Sequence, residues 1–301
     1  MPDRTKVTIA IPTFRRPEML RRALESVTRQ NYAPLEVIVA DNATEGDAVA
    51  AVIASFHGRI ENLRYVRHEQ NIGALRNFMF CLTQASGEYF MWLADDDELS
   101  PESVAPLAQR LDADHSAVSV VPYWRRMHNM EAGSVMEQRT YESHSALSRA
   151  LRYVWRSNDA FFYGLHRRQE LLKCRFYRFA WPNATTIFNT TYPFLMTLVL
   201  AGRIVSVDAS SVEWINHSYS EKSYANPQHF WVKVPKHLLR RINVHAIYLA
   251  QVFRALGLWA FLVVIPVSTF SLLTEFASEP VRRLRRSVRS KVDALHSAEQ
   301  R

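Results

Sequence analysis

Glu88-Tyr89-Phe90-Met91-Trp92-Leu93-Ala94-Asp95-Asp96-Asp97 is an apolar run of strand length that ends abruptly in three adjacent carboxylates. Glu88 to Leu93 has the length and aromatic content of a buried strand. Like charges placed this close raise one another's pKa, so the triplet needs a compensating partner. A divalent cation is the usual one: Mg²⁺ and Mn²⁺ take oxygen ligands, and Mg²⁺ commonly uses one or two carboxylates with phosphates and water completing its shell. The same residues also read as a helix start, with Asp97 or Ser100 capping a helix that begins near Pro101 and Glu102 in its first turn.

Working back toward the N-terminus, Lys6 to Ile11, Leu35 to Ala40 and Asn62 to Val66 are further short apolar runs bounded by polar or turn residues. Pro17 to Gln30, Asp47 to Phe56 and Ala74 to Ala85 lie between them and carry apolar residues at helical spacing, such as Leu20, Leu24 and Val27. Strand and helix therefore alternate. That order predicts an α/β fold with right-handed crossovers, a mainly parallel sheet, and ligands outside the carboxyl ends of the strands. The residues at those ends are Pro12 to Arg16, Asp41-Asn42, Arg67 to Gly73, and Ala94 to Asp97. Asp41 serves either to read a base or ribose or to open an Asx turn over 41–46. In Asn71-Ile72-Gly73-Ala74-Leu75-Arg76-Asn77, a glycine for close approach, free helix N–H groups and an arginine one turn in suit a phosphate or ribose; an ordinary capped helix is the plainer reading.

With 301 residues, 48% of them hydrophobic, the chain can bury one large domain or a domain with a smaller appendage. Cys81 and Cys174 show neither metal nor disulfide spacing and are expected to be reduced, buried thiols. No export signal is visible after Met1, which makes the cytoplasm the expected compartment. The formal charge of +8 is a property of the tail: Arg282, Arg283, Arg285, Arg286, Arg289 and Lys291 stand without an acid among them, and setting these six aside leaves +2. This pattern reads more economically as a contact with anionic lipid head groups than as a nucleic-acid footprint, a plain solvated helix being the blander reading. Just before it, 255–274 has no charged side chain and is long enough as a helix to span a bilayer. Cations flank both ends, so a helical hairpin kinked at Pro266 with both ends on the cytoplasmic side fits best, beside a true span or a packed helix.

Taken together, Pro12-Thr13-Phe14-Arg15-Arg16, Asp41-Asn42, Asn71-x-Gly73 with Arg76-Asn77, and Gly87-Glu88-Tyr89 leading into Trp92 to Pro101 resemble glycosyltransferase family 2 over about residues 6 to 110, and more loosely to about 220. The resemblance implies a GT-A fold, Rossmann-like, over 1–225, divided into a nucleotide-sugar half (1–111) and an acceptor half (112–225). A helical, membrane-associating region (226–301) lies outside the resemblance. It also implies a nucleotide-diphosphate sugar donor, Mg²⁺ or Mn²⁺, and inversion at the anomeric carbon. By match to the family's motifs, Pro12, Thr13 and Arg15 line the donor pocket and Asp41 contacts the base. Asn71, Gly73 and Arg76 flank the nucleotide, Asp95 approaches ribose or metal, and Asp96 with Asp97 binds metal, Asp96 principally.

Two departures stand out. Ala94 occupies a position where many members have another aspartate. The helix start at Asn189-Thr190-Thr191-Tyr192-Pro193 lacks the carboxylate that inverting members use as base; Asp159 becomes the leading candidate for that role, with Glu213 behind it. His217 follows the strand expected over Arg203 to Val207 and is a candidate phosphate donor or metal ligand. The expected activity is sugar transfer to a saccharide or lipid-linked acceptor in cell-surface polysaccharide or glycolipid synthesis, at the inner face of the cell membrane. The competing reading is a non-catalytic nucleotide-sugar-binding scaffold on the same fold.

Overall fold

Strands and helices alternate where the hydrophobic pattern predicts them: β1 (Val7–Thr13), α1 (Pro17–Thr28), β2 (Leu35–Asp41), α2 (Ala48–Ala54), β3 (Leu63–Arg67), α3 (Ala74–Gln84) and β4 (Tyr89–Trp92). A computed structural model describes residues 4–128, 131–136, 139–157, 159–177, 187–215 and 241–274. Every residue of β1 and β4 is buried, as continuous apolar runs in a sheet covered on both faces require. The parallel order is β3-β2-β1-β4. The chain winds outward from β1 to β3, then returns across β1 to lay down β4. The crevice between the carboxyl ends of β1 and β4 is therefore the topological switch point, the place where such sheets bind ligands.

The second half extends the sheet with β5 (Asp97–Leu99), β6 (Ala117–His128), β7 (Glu131–Met136), β8 (Leu165–Arg167) and β9 (Arg203–Ile215). The full order is β3-β2-β1-β4-β8-β6-β9-β5, with β7 on β6. Strand β8 runs antiparallel between β4 and β6, while β6 and β9 are parallel. Helices α4 (Val104–Ala113), α5 (Ala146–Trp155), α6 (Arg168–Leu171) and α7 (Ile187–Ala201) and a 3₁₀ turn, Ala160–Tyr163, complete this half. Successive strand residues face two separate cores. Ile9, Val37 and Met91 pack with α1, α2 and α4, whereas Ala10, Ile38 and Trp92 pack with α3, α5 and α7.

Three local expectations change. Asp97 does not cap a helix but opens β5, pairing with Trp214 of β9, and α4 begins only at Val104. Helix α7 starts at Ile187 rather than near Thr191, so Pro193 lies inside it and the Thr190-Thr191 pair is not a helix start. Gly202 follows α7 as expected, but not for a left-handed backbone. A Cβ there would meet Val118 Cγ1 at 2.3 Å and the Ser116 carbonyl at 3.0 Å, so the glycine is needed for close approach to β6.

The apolar C-terminal segment is α8 (Arg241–Thr274). His245 Nδ1 lies 2.8 Å from Ser268 Oγ, and the rings of Phe253 and Phe261 are 5.7 Å apart. In a straight helix residues 245 and 268 would be about 34 Å apart. The helix therefore doubles back, and the bend is at Gly257, whose φ of 84° only glycine adopts readily, not at Pro266. Val244, Tyr248 and Val252 of its first arm join the α5–α7 core. Gln251 Nε2 donates to the Pro193 carbonyl at 2.9 Å and to Thr197 Oγ1 at 3.0 Å.

The close approach at Gly202 is testable by a double-mutant cycle. Gly202→Ala should cost about 1–3 kcal/mol in urea denaturation. Val118→Ala in the same chain should recover part of that cost; two independent, additive losses would contradict the packing account.

Candidate functional site

The ends of β1 and β4 are tied to each other at the switch point. Thr13 Oγ1 donates to Asp95 Oδ2 at 2.8 Å, and Arg16 Nη1 reaches both Asp95 Oδ1 and Asp96 Oδ2 at 3.1 Å. Asp95 is 6% exposed. Burial pushes its carboxyl up to about 6; Arg16 opposes that shift and Asp96 reinforces it. Asp97 is pushed up further, by burial and then by its two neighbours, and its Oδ1 has no hydrogen-bond partner among the described residues. The acid triplet thus falls into three environments: Asp95 bonded, Asp96 partly open to solvent, and Asp97 enclosed.

Around this centre lie the other predicted residues. Pro12 is buried in β1 opposite Ala40. Asp41 is buried at the end of β2, where its Oδ1 accepts from the backbone N–H and hydroxyl of Thr44, and its Oδ2 from the Tyr65 hydroxyl at 3.0 Å. The Asx-type turn is therefore real, and Asp41 is held rigidly in it. Asn71 Oδ1 accepts from Asn42 Nδ2 at 3.0 Å and from the Gly73 N–H at 2.9 Å, while Asn42 Oδ1 receives the Ile72 N–H. Gly73 caps α3 at φ 85°, with open space where a side chain would stand. One turn on, Arg76 is exposed and makes no hydrogen bond or ion pair among the described residues. A free cation beside a helix N-terminus is suited to an anion.

Arg15 sits apart from the acidic turn, its guanidinium paired with Glu45 and its φ at 58°. Its neighbour Arg16 is the one that bridges the carboxylates, a role the motif alone did not assign. Tyr65 and Thr44, which anchor Asp41, are not picked out by the sequence, and Asn42 is picked out there only as part of the Asp41-Asn42 motif. The Asp41-Asn42-x-Thr44 spacing, with its short side chains that bond nearby backbone, was the available signal.

Asp159 immediately precedes the 3₁₀ turn Ala160–Tyr163, where its carbonyl accepts the Phe162 N–H. Burial pushes its carboxyl up to about 6, with Arg241 of α8 pulling the other way. Tyr163, in the same turn, is raised first by burial and then by the fields of Asp97, Asp96, Asp159 and Asp95. Asp159 and the acidic turn thus both act on one tyrosine. Trp92 holds this arrangement, stacking on Phe162 with centroids 4.3 Å apart and planes at 6°. Glu213 pairs with Glu98 through the β5–β9 ladder, and its side chain is not described; His217 lies outside the described residues.

The described residues contain no cluster of three metal-ligating side chains. The chemistry of the turn nevertheless fits a hard divalent ion. Asp96 is partly accessible, and the enclosed Asp97 has no counter-charge among the described residues; one or two carboxylates suffice where phosphate oxygens complete the shell.

The switch-point crevice thus carries the acidic turn, and the unpaired Arg76 stands in the first turn of α3. The family model for glycosyl transferase family 2 matches residues 8–181, and the chain belongs to that family. Two curated relatives are similar over part of its length. The Campylobacter jejuni GalNAc(5)-diNAcBac-PP-undecaprenol beta-1,3-glucosyltransferase is 30% identical over 114 residues, 38% of this chain and 37% of that one. The Salmonella typhimurium abequosyltransferase RfbV is 31% identical over 110 residues, 36% of this chain and 33% of that one. The matches thus span about a third of these relatives' length. Among solved structures, Staphylococcus aureus TarS 1–349 shares the fold at a TM-score of 0.59 and 16% identity, covering 91% of this chain and 92% of that one. Its complex with UDP-GlcNAc gives 0.60 and 18%, covering 91% and 72%.

The raised carboxyl of Asp159 has a stability consequence. The folded chain holds that proton more tightly than the unfolded chain does, so this group's contribution to stability is full below about pH 4 and is lost as pH rises through about 6. Asp159→Asn should therefore raise Tm by a few degrees at pH 7.5, and the gain should disappear near pH 4. Equal shifts at both pH values, followed by differential scanning fluorimetry, would contradict a desolvated, proton-retaining carboxyl.

Proposed function

We propose that this chain transfers a sugar from a nucleoside-diphosphate donor to a saccharide or lipid-linked acceptor, by a single inverting displacement that uses Mg²⁺ or Mn²⁺. The observation that carries the reading is the switch-point constellation, with Thr13 and Arg16 fixing Asp95 and Asp96 while Arg76 stands free beside Gly73. The base and ribose are assigned to the Asp41–Asn42–Asn71 side, and the diphosphate to the α3 N-terminus and Arg76. Asp96, with Asp97, would hold the metal, which when bound supplies charge stabilisation to the departing diphosphate. His217 remains a proposed phosphate donor or metal ligand.

Asp159 is assigned the base. The acceptor hydroxyl attacks the anomeric carbon, its proton passes to the Asp159 carboxylate, and the bond to the nucleoside diphosphate breaks on the opposite face. Desolvation has already raised the basicity of this carboxyl, as a base working near neutral pH requires. A lipid-linked acceptor is supported by the undecaprenol in the name of the Campylobacter relative and by the apolar, basic C-terminus. With it go an inner-membrane-face location and the division into a 1–225 catalytic region and a 226–301 membrane-associating region. One observation favours a nucleotide-sugar-binding scaffold instead: α7 has no acid in its first turn.

The test begins with a thermal-shift screen of nucleotide sugars, since a specific ligand raises apparent stability by mass action. With the donor identified, Asp96→Asn should abolish the Mn²⁺ dependence of donor hydrolysis and transfer. Arg76→Ala should weaken donor binding about tenfold or more, the worth of a charge-assisted hydrogen bond. Asp159→Asn should slow transfer by about 10²–10⁴-fold at unchanged donor affinity. Donor binding without hydrolysis or transfer under any metal would favour the scaffold, and wild-type transfer by Asp159→Asn would remove it as the base.

A further inference from the structure

Helix α8 presents two faces along its whole length. Val244, Tyr248 and Val252 on the first arm and Ala260, Val264 and Ser268 on the second are turned into the protein. On the outside, Phe253, Leu258, Trp259, Leu262, Val263 and Leu273 are 47–82% exposed, with Trp259 the most open. Only 22% of its most apolar window is buried, although that window has a mean hydropathy of 2.1. An apolar face this continuous needs a partner.

The geometry points to the interfacial zone of one membrane leaflet: we propose that α8 is a monotopic hairpin that lies in the surface of an anionic bilayer on this outer face, without crossing it. This inference rests on the membrane-surface reading above and specifies its mode. Each arm is about 24 Å long at 1.5 Å per residue, short of the roughly 30 Å hydrocarbon core. The protein-facing stripe persists to Val252 and Ala260, on either side of the bend at Gly257, so neither arm stands clear of the body to reach a second leaflet. The fold-back returns both arm ends to one side, as the His245–Ser268 contact requires.

Charge selects lipid over a second copy of the chain. Between Arg241 and Thr274 there is no acid, and the six cations of 282–291 follow in sequence. Arg254, exposed three residues before the bend, can extend its stem along apolar surface while its head stays among phosphates, which limits insertion to interfacial depth. Trp259 is of the residue type enriched at that depth. The hairpin also begins beside the acceptor side of the site. Arg241 lies over the Tyr192 ring at 5.8 Å and its charge reaches Asp159, so a lipid-borne acceptor in the same leaflet would lie near the reacting groups.

The test uses the full-length chain with vesicles of 70% phosphatidylcholine and 30% phosphatidylglycerol. Wild type should sediment with them, and the Trp259→Glu/Leu262→Glu double variant should bind at least tenfold more weakly while keeping wild-type Tm. Cysteines placed at the exposed Ile242 and Thr274 should both react with an impermeant maleimide added outside sealed vesicles; the native Cys81 and Cys174 are buried. If wild type ignores the vesicles, the membrane reading and this inference fail together, and a concentration-dependent dimer lost in the double variant would then assign the face to a second copy. Undiminished binding by the double variant would leave the membrane reading intact, assign it to the basic tail and overturn the hairpin contact. Protection of one of the two cysteines would show a span and overturn it too.

Discussion

Three carboxylates at the end of one buried strand form the constraint around which this molecule is organised. Two of them, Asp95 and Asp97, are enclosed, where charge is costly unless paired or neutralised. The remedy depends on topology: only with β4 laid beside β1 can Thr13 and Arg16, at the end of β1 and the entrance to α1, meet the acids from 79 or more positions away. Arg16 offsets part of the charge of Asp95 and Asp96, while Asp97 has no cation paired with it among the described residues. The surrounding apolar strands hold the arrangement in place, because their burial, unlike the ion pairs, is insensitive to how each acid is charged.

The first half of the fold was legible because its determinants are local. Apolar runs of strand length and helices with apolar residues at helical spacing announce a parallel sheet, and the rule that ligands gather at the carboxyl ends then singles out the loops that the structure brings together at one edge. The bond partners inside those loops were less legible. Arg15 and Arg16 are indistinguishable as letters, yet a positive φ turns one toward Glu45 while the other faces the acids. Asp97 looked like a cap because its engagement as a strand depends on β9, more than a hundred residues later.

Further along the chain, the signals that misled were single residues with two possible physical roles. Pro193 suggested a first turn, but the helix around it is held from outside by contacts such as that of Gln251 with its carbonyl. Pro266 suggested a kink, while Gly257, nine positions earlier, made the reversal because a left-handed backbone turns a chain more sharply than a missing N–H does. Gly202 was placed correctly for the wrong reason, its smallness mattering more than its freedom. Asp159 could be singled out only by eliminating other acids; what marks it is the desolvation of its carboxyl and its reach to Tyr163, neither of which is written in the local sequence.

The stacking of Trp92 on Phe162 bears on how such a chain can diversify. Phe162 belongs to the same short turn as Tyr163 and stands three residues after Asp159, and Trp92 stands three residues before Asp95. The two sides of the crevice are therefore keyed to each other through one pair of flat rings. A lineage, or an engineer, exchanging the second half of the sheet inherits a compatibility rule: the incoming segment must bring a ring at position 162 that lies flat on the indole, or the grafted half will seat out of register with the first. Modularity in this architecture is thus limited less by the length of the exchanged piece than by whether that aromatic latch closes.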